Sequence, residues 1–182
     1  ALANPAEYGY LGEIKTAKDD SDEKMGLLKF DVSSLQGRLD AVESAELVLT
    51  YMGRRNSGEK GMDTIRAAVI PPSSAWSEGS VTWNTRPSFA AAEGSYRDSL
   101  EFDLEGSQNV IMAQDDKYVS SQAVDGRKVS IDITDFIKNL AEGQETLSLA
   151  VNETKGYELT FVSRDGAANN QNADASMAPT LQ

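Results

Sequence analysis

Seven basic side chains carry the first chemistry that this sequence offers. Lys15, Lys18, Lys24 and Lys29 lie in or beside one polar connection, "KTAKDDSDEKMG" (15–26), and Arg54, Arg55 and Arg66 in or beside the next, "GRRNSGEKG" (53–61). Read as hairpin loops on adjacent strands, the two connections would set these cations into one strip. Such a strip suits carboxylate or sulfate groups on a polysaccharide, the lysines acting as point charges and the arginines as two-pronged donors. The competing reading is surface ion pairing with the neighbouring acids, each pair contributing little. The formal net charge is −12, so any attraction of an anion must be local and must weaken as salt screens it.

Two stretches gather oxygen ligands instead. "DDSDE" (19–23) places four carboxylates around Ser21, but Lys24 stands where a calcium loop of the EF-hand type needs glycine, and Phe30 where it needs glutamate. It reads as a solvated charge run. "DGAANNQNAD" (165–174) brings Asp165, Asn169, Asn170, Asn172 and Asp174 together. Asp165, Asn169, Asn170 and Asp174 are the candidate ligands there, with calcium as the ion they would take. Asn-rich segments are equally ordinary turn chemistry.

Catalytic machinery is narrowed by what is missing. With no cysteine and no histidine in 182 residues, thiolate nucleophiles, Ser-His-Asp triads and imidazole metal ligands are excluded. Paired carboxylates could still run glycoside hydrolysis, yet among 29 acidic residues no pair is singled out. There is no nucleophile elbow and no phosphate-cradling glycine loop. The expectation is a protein that is not an enzyme. Trp76 and Trp83, the only tryptophans, sit within "WSEGSVTWNTRP" (76–87). They could stack on sugar faces, but burial habits favour a structural role, with both indoles mainly buried.

The elements that must position these residues read as short strands. In "AELVLTYM", Leu47, Leu49 and Tyr51 share one face while Glu46, Val48 and Thr50 share the other, a period of two. Similar runs cover 12–17, 26–32, 64–70, 100–105, 128–133, 147–152 and 157–163. Eight short strands point to an all-β sandwich. One short helix is expected in "TDFIKNLAEG", with Thr134 or Asp135 as cap, Phe136, Ile137 and Leu140 on one face and Gly143 ending it. "RDGAANNQNADASMAP" (164–179) reads as a long loop.

No composition shift divides the chain, so residues 1–182 are expected to form a single domain. No apolar run approaches the roughly 18 residues of a membrane span. The acidic balance disfavours nucleic acid as a partner. The opening "ALANPAEYG" holds no intact signal peptide, although "ALA" is like the end of a cleaved one.

Five ordered blocks then carry a resemblance: "LLKFDVSSL" (27–35), "VESAELVLTY" (42–51), "WSEGSVTWNTRP", "VSIDITDFI" (129–137) and "LTFVSRDGA" followed by "APTL" (159–181). Together they resemble the DNRLRE domains, which overlap carbohydrate-binding module family 96 and the disaggregatase-related repeats. The resemblance implies a jelly-roll-like antiparallel β-sandwich, extracellular or cell-surface, attached to polysaccharide-degrading enzymes or adhesins and itself non-catalytic. Some members bind acidic polysaccharides such as alginate through basic residues.

The chain departs from that pattern at several points. Lys24 stands near the place of the family's arginine, and Asp165 in place of its usual glutamate. The stretch from Pro87 to Val129 is longer than expected. The beginning at "NPAEYG" and the stop at "TLQ" suggest a sandwich short of edge-strand pairing, which exposes backbone donors and acceptors. A rival expectation follows, a self-assembling extracellular filament or matrix subunit completed by a strand from a second copy of itself.

Overall fold

The computed structural model describes residues 13–16, 25–55, 62–82, 84–87, 96–98, 102–103, 127–153, 158–169 and 174–182. The strands are β1 (Glu13–Thr16), β2 (Gly26–Asp31), β3 (Glu46–Arg55), β4 (Met62–Asp63), β5 (Ile65–Ile70), β6 (Tyr96–Asp98), β7 (Phe102–Asp103), β8 (Lys128–Asp132), β9 (Thr146–Glu153), β10 (Glu158–Val162) and β11 (Thr180–Leu181). Two short helices, α1 (Thr134–Lys138) and α2 (Arg164–Asn169), join them.

Pairing is nested from the outside in. β1 pairs with β10, β2 with β9, β3 with β8, β4 with β7 and β5 with β6, all antiparallel. The chain is therefore one long two-armed hairpin. It wraps on itself because β10 also pairs with β3, and β9 with β5. The result is two main sheets, one containing β1, β10, β3 and β8 and the other ordered β2–β9–β5–β6, with β4 and β7 forming a separate two-stranded sheet. This is the strand order of a jelly roll.

The two-residue period decides what lies between the sheets. Leu47, Leu49 and Tyr51 of β3, Val129 and Ile131 of β8, and Leu159 and Phe161 of β10 face Leu28 of β2, Ile65 and Ala67 of β5, and Leu147, Leu149 and Val151 of β9 in one buried cluster. Full burial of each large apolar side chain stabilises the fold by about 1.5–3 kcal/mol. In α1, Phe136 and Ile137 are buried with Leu140, closing one end of this core.

The end of the chain extends the first sheet. Glu46 and Gln182 exchange two backbone hydrogen bonds, at 2.8 and 3.0 Å, whereas the Tyr51 N–H donates to the Arg127 carbonyl. Donors five residues apart on a strand point to opposite edges. β8 thus takes one edge of β3, and β10 followed by β11 takes the other. With the nested pairs all present and Thr180–Leu181 paired to β3, completion by a neighbour's strand is not favoured. A bulge sits between the two partners: Thr160 is opposite Gly53 but Phe161 is opposite Tyr51, leaving Met52 as the extra residue.

Several expectations are corrected by this topology. The strands flanking the stretches 15–26 and 53–61 are not hairpin partners: β1 pairs with β10 and β2 with β9, in different sheets, and β3 pairs with β8 and β10 whereas β4 pairs with β7. The segment 164–179 is not simply a loop, since it contains α2 and a 3-10 turn at Ala175–Met177. Helix α1 is where the sequence places it, but its first N–H is served by Asp132, whose Oδ1 accepts from the Thr134 N–H at 2.9 Å and hydroxyl at 2.6 Å. Gly143 does not end α1, which stops at Lys138; it supplies a positive φ of 75° to the turn before β9.

Each sheet's outer face carries a cover held by a lysine. On the first, Met52, Val162 and Ala167 pack with Met177 and Ala178. The Lys128 ammonium reaches over to donate to the Thr50 hydroxyl at 2.6 Å and the Ser176 carbonyl at 2.9 Å. On the second, Met25, Ile70 and Ala150 pack with Leu27 and Trp76. An Arg164–Glu78 ion pair at 3.0 Å ties the two covers together.

Candidate functional site

Strand register places five of the seven cations. Lys15 lies opposite Thr160 on β1, and Arg54 and Arg55 lie opposite Leu159 and Glu158 at the end of β3. Two strand spacings separate Lys15 from the end of β3, about 10 Å between backbones. Arg66, the second residue of β5, lies opposite Asn152 near the end of β9 on one side and opposite Asp98 of β6 on the other. Only residues 154–157 lie between β9 and β10, so these strand ends belong to the same end of the sandwich. Lys15, Arg54, Arg55 and Arg66 therefore occupy strand positions at that end, distributed over two sheets and not along a single pair of strands as expected. Lys18 and Lys24 lie outside the described residues.

Lys29 sits farther along β2. Leu28 turns into the core, so Lys29 turns outward, and it is exposed. Its ammonium donates to the Trp76 carbonyl at 2.7 Å and lies 4.5 Å from the centroid of the Trp76 ring. One cation thus holds both the backbone and the π face of the same residue.

Trp76 is half-buried and lies outside the sandwich, packed on Met25, Ile70 and Ala150. The expectation of a core tryptophan is corrected in place but kept in role: the indole rivets the β5–β6 connection to the outer face of the second sheet. Its Nε1 is buried without a hydrogen-bond partner among the described residues, an arrangement that costs about 1–3 kcal/mol. Trp83 lies outside the described residues. Near Trp76 the connection is stiffened by its own hydroxyls. Thr82 and Thr85 each donate a backbone N–H to the other's Oγ1, at 2.9 and 3.2 Å.

Of the candidate calcium ligands, Asp165 pairs with Arg164 at 3.4 Å. Asp174 accepts from the Ser176 N–H at 2.8 Å and from its hydroxyl, capping the 3-10 turn. Asn169 ends α2, and Asn170 lies outside the described residues. Among the described residues no three acidic side chains converge as a metal site.

The same capping device occurs three times, at Asp31 with Ser33, Asp132 with Thr134 and Asp174 with Ser176. The Asp-x-Ser/Thr spacing is visible in the sequence and could have revealed these turns. Donation from Ser33, first its hydroxyl and then its N–H, holds the Asp31 carboxyl below the usual range. Ser176 does the same for Asp174, with the Lys128 charge adding to it. The Glu78 carboxylate, then Asp165, raises the Arg164 guanidinium further.

The sequence matches carbohydrate-binding module family 96 over residues 4–129, more than half of the chain. The chain belongs to carbohydrate-binding module family 96. The matched span runs from before β1 into β8, so it includes Lys29, Trp76 and the four cations gathered at the strand ends. No curated protein matches the chain. The family assigns a carbohydrate-binding module, and its jelly-roll implication agrees with the observed pairing. Among the described residues, no helix is long and apolar enough to cross a membrane.

Proposed function

We propose that this family 96 module binds an extracellular anionic polysaccharide, a uronate polymer such as alginate or a sulfated galactan, without cleaving it. The observation that supports this most is the gathering of Lys15, Arg54, Arg55 and Arg66 at one end of the sandwich, on a chain whose net charge of −12 would otherwise repel such a ligand. Lys18 and Lys24 belong to the same candidate site by sequence. Cations contributed by several strands suit a polymer carrying one charge after another. The setting that fits is the cell surface or the medium, with the module attached to a catalytic domain of a longer chain.

Affinity electrophoresis through gels containing alginate, a sulfated galactan or a neutral glucan tests this reading. Retardation in the anionic gels alone, reduced by salt and by the R54A/R55A double substitution, is the expected result. Equal migration in all three gels would reject it.

A further inference from the structure

The outer face of the second sheet holds a cation whose partners among the described residues are not acids. Among those residues, both contacts of the Lys29 ammonium are with Trp76, one to its carbonyl and one to its ring. Neither neutralises the charge, and one hydrogen bond leaves further N–H donors on the ammonium. Asp31, next on the same face of β2, has its Oδ1 engaged by Ser33. Ser148 lies directly across from Lys29 on β9, facing outward because Leu147 and Leu149 face the core. Beside them the Trp76 indole N–H is buried with no acceptor among the described residues. An ammonium beside the Trp76 indole and a hydroxyl directly across the strand pair from it thus share one outward row.

From this arrangement we infer that the row Lys29–Ser148, with Trp76 above it, is a subsite for the carboxylate or sulfate of a single acidic sugar unit, and that residues 71–82 are the strap across it. An anion bonds to an ammonium more strongly than a neutral carbonyl does. The ligand therefore takes Lys29 from the Trp76 carbonyl. The indole lifts from Met25, Ile70 and Ala150, its N–H gains an oxygen acceptor, and its ring becomes free to stack on the sugar. Arg66 lies two strands across and four residues along β9 from this row, about 17 Å by strand spacing. One polysaccharide strand can therefore run from the gathered cations to the strap. This inference rests on the proposal that the module binds anionic polysaccharide.

The test reads Trp76 itself. In a W83F background, where Trp76 is the sole indole, emission and acrylamide quenching are followed while an oligouronate, a sulfated galacto-oligosaccharide or a neutral gluco-oligosaccharide is added. The expected result is a saturable red shift with greater quenching for one or both acidic probes and none for the neutral one. K29M keeps the aliphatic stem, shifts the ligand-free emission to the red, and weakens binding of the acidic probe about tenfold. K29M is also compared with the parent by affinity electrophoresis, which needs no tryptophan substitution. Retardation in anionic gels with unchanged Trp76 emission and unchanged K29M mobility overturns the subsite and leaves the proposed function standing. Retardation in no anionic gel overturns both.

Discussion

Replacing Lys128 by methionine gives the sharpest check on how the first sheet is covered. The ammonium is the donor to Thr50, a residue with 0 % exposure, and also to the Ser176 carbonyl. Methionine preserves most of the apolar stem, so the loss is polar. Stranding the buried Thr50 hydroxyl costs about 1–3 kcal/mol, and the more exposed bond to Ser176 adds roughly 0.5–1 kcal/mol. A total near 2 kcal/mol corresponds to a fall in Tm of about 4–8 °C for a domain of this size. The hydroxyl contribution is isolated by T50V, which removes the stranded group and keeps a β-branched residue on the strand. In the K128M background T50V should restore about 1 kcal/mol, whereas in the parent it should destabilise. Urea unfolding followed by circular dichroism measures all four proteins. A K128M protein as stable as the parent, or a T50V effect equal in both backgrounds, would refute the assigned contact.

Further outcomes follow from individual residues. Asp31 and Asp174 have lowered carboxyl values in the folded protein, so the stability they contribute is present above the unfolded value of about 3.9 and is lost as pH falls through the lower folded values. Melting curves taken across that acid range should fall less steeply in S33A and S176A than in the parent. Gly37 has a φ of 74° and no heavy atom within 4 Å of where a Cβ would stand, so G37A should cost about 1 kcal/mol through backbone strain alone, with G37N costing less. Calcium at the 165–174 segment is proposed as a stabilising ligand of the native state; Tm should rise with calcium and fall back with chelator, and equal values in both would remove it. Incubation with polysaccharides should release no new reducing ends, and turnover abolished by one carboxylate substitution would contradict the non-catalytic reading.

Much of the fold was legible because burial on one face imposes alternation. Leu47, Leu49 and Tyr51 marked β3, and all eight runs read as strands contain one. The pairing was not legible: nothing near Lys15 states that its strand partner is Thr160, far along the chain. Hairpins were therefore expected where the chain crosses between sheets. β4, β6 and β11, two or three residues each, are too short to show a period and are fixed by their partners. At the candidate site, the cations were visible by residue type, but their gathering depends on strands from two sheets. The link from Lys29 to Trp76 spans 47 positions, with no local signal. The Asp-x-Ser/Thr caps were local and could have been read directly.

The proposed recognition of an anionic polysaccharide by cations at one end of the sandwich is tested by titration calorimetry with oligouronate and neutral gluco-oligosaccharide across a salt series. Parent protein is compared with a variant neutral at Lys15, Arg54, Arg55 and Arg66 whose unfolding curve matches the parent's. The expected result is binding to the oligouronate alone, weakening steadily as salt shortens the screening length from about 10 Å at 0.1 M to about 3 Å at 1 M, and lost in the variant. Binding of the neutral oligomer with equal affinity, or oligouronate binding unchanged by salt and by removal of the four cations, would contradict it.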